Sequence, residues 1–337
     1  MIQNQVITEN YAIYEGDCMF VLPTLPDKSV DLCVYSPPFM GLYNYSSDEN
    51  DFSNCESTEQ FMEQYEYLIA ETARLIKPGC IVAVHCQDVI MDTTKHNLFD
   101  FPHEIIKIHQ KYGFWFKNRI TVWKEPLEVR MRTMVKSLMH KTLCEDSSNV
   151  FPSTPDQVLI FKMGGERHNP VVHPFGLSHY AGATPLLPEM AEKYGDWNHI
   201  LIKYKNWQDP KTNKLSHIIF QRYMSSVWDD IRSGNVLPFR DSREDDDEKH
   251  VHPLQLDVID RIVELYTNPG EVVLTPFMGV GSEVFSPVSM GRFGIGIELK
   301  DSYFKQASLN CKEAEKRFLE SKPKELFDMV EQPEMMD

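Results

Sequence analysis

Several things are missing from this chain of 337 residues. It has no CxxC pair, and its seven cysteines (Cys18, Cys33, Cys55, Cys80, Cys86, Cys144 and Cys311) are scattered and odd in number. That pattern excludes a disulfide framework and a structural zinc site of ordinary spacing, and it points to reduced thiols in a cytoplasmic compartment. No apolar run approaches the roughly 20 residues of a membrane span. The opening segment MIQNQVITEN has neither a basic n-region nor an apolar h-region, so no signal peptide is expected. His85-Cys86 has no partner ligands at metal spacing, and IVAVHC reads as the end of a buried strand, so no metal is expected.

Positive charge is also short. The chain sets 34 Lys and Arg against 50 Asp and Glu, a net −16, which taken alone argues against a nucleic-acid partner. The imbalance is uneven, and the field at a contact face depends on the local charges. DSREDDDEK (241–249) carries six acids and two bases, whereas RMRTMVKSLMHK (130–141) carries four bases and no acid.

What is present fits one large α/β domain with an insertion. Apolar, β-branched runs at Tyr11 to Tyr14, Leu32 to Tyr35, Ile81 to Val84, Arg119 to Trp123 and Val158 to Phe161 read as strands buried on both faces of a sheet. Helical spacing runs from Thr58, the expected N-cap, to Lys77, with Pro78-Gly79 as the stop, and again over Phe101 to Tyr112. The C-terminal third repeats the alternation: helix Leu254 to Tyr266, strands Val272 to Leu274 and Gly294 to Ile297, and a helix over residues 302–320. This order predicts a doubly wound, mostly parallel sheet. Residues 164–250 lack clear periodicity and read as an inserted region ending in an exposed acidic linker. Trp197, Trp207 and the lysines between them are expected to form a small core there. The tail from Pro323 reads as loose.

Two junctions carry chemistry. In DLCVYSPPFMG (31–41) a core strand ends on Ser36-Pro37-Pro38-Phe39. The prolines stiffen the turn and remove two N–H donors. A serine oxygen and a fixed carbonyl then form a pair of acceptors, beside an aromatic face. That suits a planar ring bearing an exocyclic amine, held for attack on an activated methyl group. The alternative is a rigid loop that merely caps the strand. In VVLTPFMGVGSEVF (272–285), strand, glycine turn and helix follow in order, with Glu298 placed 23 residues beyond Thr275 at the end of the next strand. Glycines let a ligand approach the backbone, helix N–H groups face it, and an acid at about this distance bonds ribose hydroxyls. GxG alone fits a packing turn equally well, but the whole arrangement indicates an adenosine-containing cofactor on a Rossmann-like sheet.

Taken together, GDC18, SPPF39 and TPFMGVG281, in that order, resemble the DNA amino-methyltransferases, with the motif order of the permuted beta class. The resemblance covers most of residues 11–163 and 250–310. It implies a site-specific DNA methyltransferase that flips a base from the duplex and moves a methyl group from S-adenosylmethionine (SAM) to its exocyclic nitrogen. Ser36, Pro37, Pro38 and Phe39 would hold the base. Asp17, Cys18, His252, Gln255, Thr275, Phe277, Gly279, Gly281, Ser282 and Glu298 would hold SAM, and the loop after Phe39 would close over the nucleotide. Serine before the prolines favours N4 of cytosine, with N6 of adenine the alternative; an RNA or protein amide methyltransferase and an inactive SAM- or DNA-binding protein are weaker readings.

The resemblance also implies a division into catalytic half (1–163), target-recognition insertion and linker (164–250), SAM half (251–320) and tail (321–337). Arg130, Arg132, Lys136 and Lys141 are the phosphate candidates on double-stranded DNA, the alternative being a solvent-exposed helix face. A homodimer and a cognate restriction endonuclease are the further partners implied. Thr275 stands where the family usually carries an acid, and Glu283 and Pro287 stand where it carries small or apolar residues.

Overall fold

The computed structural model describes residues 2–38, 55, 57–92, 97–239, 242 and 253–321. Its strands are β1 (Asn4–Ile7), β2 (Tyr11–Glu15), β3 (Val30–Tyr35), β4 (Ile76–Cys86), β5 (Val89–Asp92), β6 (Asn97–Phe99), β7 (Phe114–Val122), β8 (Asp156–Met163), β9 (Val227–Trp228), β10 (Val272–Thr275) and β11 (Phe293–Glu298). Its helices are α1 (Cys18–Val21), α2 (Thr58–Leu75), α3 (Phe101–Lys111), α4 (Pro126–Thr133), α5 (His140–Glu145), α6 (Pro188–Tyr194), α7 (Trp197–Tyr204), α8 (Lys214–Tyr223), α9 (Leu256–Tyr266), α10 (Ser282–Ser289) and α11 (Asp301–Ser321).

Nine strands form one sheet in the order β1-β2-β11-β10-β3-β4-β8-β7-β9, and β5 and β6 make a separate hairpin. From β2 to β4 every neighbour is parallel. Only β1 at one edge and β8 near the other run against the rest. The expected doubly wound α/β sheet is therefore present.

Its two faces follow from side-chain alternation along a strand. On β3, Cys33 and Tyr35 pack with Phe61, Tyr65 and Leu68 of α2 and Ile105 of α3. Leu32 and Val34 point the other way, into a cluster with Val258, Ile259 and Ile262 of α9. Covered on both faces, such a strand reads as an unbroken apolar run, which is why it was visible in the sequence.

Three expectations change. Ser57, not Thr58, caps α2, accepting from the backbone N–H of Gln60. The helix ends at Leu75, and Pro78-Gly79 lies inside β4 rather than stopping a helix. Gly79 has φ +74°, and a Cβ there would fall 2.3 Å from the backbone nitrogen of Arg167, so close strand-to-loop packing requires the glycine. Within the 164–250 segment, Ile200, Leu215, Ile218, Ile219 and Tyr223 form a separate core against which Trp197 packs, but Trp207 is exposed.

A fully buried arginine ties this segment to the sheet. Arg261 of α9 donates to both oxygens of Asp230 at 2.9 Å and to the carbonyl of Ala181 at 2.7 Å. Its guanidinium lies 5.0–5.3 Å from the ring centres of Tyr180, Tyr223 and Trp228. Ion pair and aromatic faces together offset the cost of taking the charge out of water. Of the acidic run 241–249 only Ser242 is described, and the loop after SPPF and the C-terminal tail lie outside the described residues apart from Cys55, Ser57, Thr58 and Ser321.

Candidate active site

Open α/β sheets bind ligands beyond the carboxyl ends of their strands. Here those ends border a cavity of about 880 Å³. Asp17 follows β2, Ser36 follows β3, Lys124 follows β7, Phe277 follows β10 and Glu298 ends β11; all five line the cavity. Because β8 is antiparallel, its first residue, Asp156, comes to the same edge.

One half of the cavity is built on the glycine turn. Glu298 accepts from the backbone N–H of Gly279 at 2.8 Å through one carboxylate oxygen and from Lys300 at 2.9 Å through the other. Two backbone donors thus fix the carboxylate at the cavity wall. Gly279 has φ +53°, and a Cβ built there meets no atom within 4 Å. A side chain would take up open space at the turn, so the glycine leaves room for a ligand against bare backbone. Asp17 caps α1, accepting from Met19 N–H at 2.8 Å. Cys18 beside it is buried, and burial pushes its thiol well up, so it acts as an apolar wall. Phe277 lies 5.9 Å from the ring of Tyr35, and Gln255 and Ser282 also line the space.

The other half surrounds Ser36. Its Oγ lies 3.3 Å from Nδ1 of His85, and Nε2 of His85 lies 3.3 Å from Asp156 Oδ2. The second contact is a close approach whose geometry falls short of an aligned hydrogen bond. Lys124 Nζ donates to the other Asp156 oxygen. Burial alone would raise the Asp156 carboxyl; His85 and then Lys124 outweigh it and bring it down to about 2. Ser36, His85, Asp156 and Lys124 therefore form a connected row from cavity wall to buried anion.

Most of the predicted site residues converge. Asp17, Cys18, Ser36, Pro37, Pro38, Gln255, Phe277, Gly279, Ser282, Glu298 and Arg132 all line the one cavity. Two predicted cofactor residues do not. Thr275 is fully buried at the end of β10. Gly281 has φ +94°, and a Cβ on it would press on Ala307 of α11 at 3.3 Å, so this glycine serves helix packing. Arg130, Lys136 and Lys141 lie outside the cavity wall, and Lys141 pairs with Glu145 at 3.4 Å. Phe39 and His252 lie outside the described residues. No group of three or more metal-ligating side chains occurs among the described residues.

Sequence reasoning missed His85, Asp156 and Lys124. His85 lies near the end of β4, as IVAVHC implies, and meets Ser36 only because β3 and β4 lie side by side. Arg232 was missed too. It lines the cavity, held by bonds from its backbone and side chain to the buried Asp257, both 2.9 Å through Oδ2.

Comparison with known proteins gives the family and the fold. Type II methyltransferase M.BglII of Bacillus subtilis is 26% identical over 293 residues, covering 86% of this chain and 66% of the relative. M1.MboII of Moraxella bovis is 33% identical over 301 residues, covering 88% and 94%. The chain thus spans nearly all of one relative but only 66% of M.BglII and 59% of M.BamHI of Bacillus amyloliquefaciens. The solved PvuII DNA methyltransferase (cytosine-N4-specific) superposes with a TM-score of 0.57 at 13% identity, covering 96% of this chain and 98% of the other, a likeness of fold. The sequence model of the DNA methylase family matches residues 30–309, and on that match and the M1.MboII likeness the chain belongs to this family.

Proposed function

We propose that the chain is a SAM-dependent DNA methyltransferase acting on the exocyclic amine of a base turned out of the duplex, with N4 of cytosine as the target. The observation that carries the reading is the single cavity bounded by Ser36 and His85 on one side and by Gly279 and Glu298 on the other. It has room for a nucleoside-sized cofactor beside a flipped base.

The residues fit SAM. Glu298 would take the ribose hydroxyls, Gly279 would let the backbone approach, and Asp17, Cys18 and Phe277 would bound the adenine. Bound SAM supplies an electrophilic methyl on a sulfonium and leaves as the neutral thioether.

The chain's own groups do the rest. An aromatic amine is a poor nucleophile because its lone pair is spread into the ring. Ser36 Oγ accepts one amine hydrogen and draws the nitrogen towards a tetrahedral form. Its own hydroxyl proton points to His85 Nδ1, which requires the imidazole proton on Nε2, facing Asp156. Once alkylated, the nitrogen is acidic. Its proton passes through Ser36 Oγ to His85 Nδ1, and the imidazolium so formed is stabilised by the Asp156 carboxylate. Asp156, its carboxyl brought down to about 2, is a carboxylate when that imidazolium forms.

The choice of cytosine rests on the serine before the prolines. Adenine N6 remains the second reading, favoured by a 24% likeness to DNA adenine methyltransferase YhdJ of Escherichia coli. Arg132 and Arg232 at the cavity wall are the candidates to meet phosphate there, with Arg130, Lys136 and Lys141 further out, and the 164–250 segment would read the sequence.

The test is nucleoside mass spectrometry after incubation of the chain with mixed-sequence unmethylated DNA and isotope-labelled SAM. Labelled N4-methylcytosine is the expected product. N6-methyladenine would keep the chemistry and overturn the target. No labelled base, with SAM bound, would move the activity away from DNA.

A further inference from the structure

Glu283 has no place in the chemistry above. It sits in the first turn of α10, is only 5% exposed and lines the cavity. Its carboxyl receives its own backbone N–H, and no cation among the described residues pairs with it. The charge acting on it is another acid, Glu298, from the end of β11 beyond the glycine turn. Burial first, and then Glu298, push its carboxyl up to about 8.

A packing role does not account for this residue. A small neutral side chain would fill the first turn of α10 without taking a carboxyl out of water. The helix N-terminus favours an anion only in part, and Glu298 opposes it. A buried acid that faces a cavity without a cation is half of an ion pair. The other half has to arrive with the ligand.

We propose that Glu283 is a further recognition residue of this site, which takes the positive charge of the bound cofactor at its α-ammonium or its sulfonium. The inference rests on the SAM reading and deepens it. It assigns to Glu283 a preference for cationic ligands over neutral ones. Glu298 stays on the ribose, and the arriving cation relieves the repulsion between the two acids.

The test is calorimetric titration of the full chain, and of Glu283→Gln and Glu283→Thr, with three ligands and no DNA. SAM carries ammonium and sulfonium, S-adenosylhomocysteine carries the ammonium alone, and 5′-methylthioadenosine carries neither. Glu283→Gln is expected to weaken SAM about 10- to 100-fold, the loss of a charge-assisted hydrogen bond, and to leave methylthioadenosine unchanged. If S-adenosylhomocysteine weakens equally, the ammonium is the partner; if only SAM weakens, it is the sulfonium. Unchanged SAM binding, or an equal loss for all three ligands, overturns the assignment. Native chain that binds none of the three overturns the cofactor reading itself, and this inference with it. Gln preserves shape and has no proton to release on unfolding, so the ligand-free variant should melt no lower than the native chain. A much lower melting temperature in both variants would make Glu283 structural and overturn the proposal.

Discussion

Ser36 Oγ sits 3.3 Å from His85 Nδ1 because β3 and β4 are in parallel register, with Tyr35 beside Val84, so the next residue on each strand meets the other at the sheet edge. The serine that ends one core strand is thereby tied to the histidine near the end of its neighbour.

That pairing predicts non-additive kinetics. Ser36→Ala and His85→Ala should each lower turnover, by about 10²-fold for the histidine, with the SAM dissociation constant unchanged. If the two act in one proton path, the double variant should be little worse than the more damaging single variant. Single-turnover rates with saturating SAM measure this. Losses that simply add would separate the two residues and remove the relay.

Asp156 anchors the row, and its substitution tests the charge. Asp156→Asn leaves Lys124 and His85 facing a neutral amide at a buried position, at a cost on the order of 3–5 kcal/mol near neutral pH. The sign with pH follows from a carboxyl lowered from 3.8 to about 2. Its contribution is fully present above the ordinary value and is lost as pH falls through about 2. The stability gap between native chain and variant, measured by urea unfolding, should therefore close on going from pH 5 towards pH 2. A constant gap would mean that shape, not charge, is what Asp156 supplies.

How much of this was legible depended on whether the cause was local. Strands such as Leu32 to Tyr35 announced themselves because both faces are buried. SPP and the Gly279 turn were visible because prolines and glycines mark backbone constraints directly in the sequence. His85, Asp156 and Lys124 have no such signature. Their meeting depends on β4 pairing antiparallel with β8, and on β7 ending beside the first residue of β8, pairings that no spacing rule encodes. Pro78-Gly79 misled for a related reason. It looks like a helix stop, but the glycine is there for the approach of Arg167, a residue far along the chain. Gly279 and Gly281 looked alike in sequence, and only the fold shows that one borders the cavity while the other packs on Ala307.

That division between the two glycines predicts different failures. Gly279→Ala must hold an L-residue at φ +53°, at a cost of roughly 1–2 kcal/mol, but its Cβ meets no neighbour. The variant should fold and bind SAM weakly. Gly281→Ala presses on α11 and should lose stability. Glu298→Ala should lose charge-assisted bonds to the ribose, about 1.5–3 kcal/mol of binding. Thermal melts and titration with SAM separate the three. An unchanged SAM affinity in Glu298→Ala would place the ribose elsewhere.

Glu283 predicts a pH dependence of the opposite sign to Asp156. Burial and then Glu298 raise its carboxyl from 4.5 to about 8 in the folded chain. Between those values the folded chain holds a proton that the unfolded chain has released. Stability from this group is therefore complete below about pH 4.5 and falls as pH rises through 8. The charge facing it across the turn is Glu298 of β11, so no nearby cation reverses the trend. In Glu283→Gln the proton cannot leave. The ligand-free variant should gain on the native chain steadily from pH 5 to pH 8.5 in thermal melts, while the two converge near pH 4.5. A native chain that gained on the variant as pH rose would mean that the carboxylate is already paired inside the fold, and that the cavity does not await a cation at this wall.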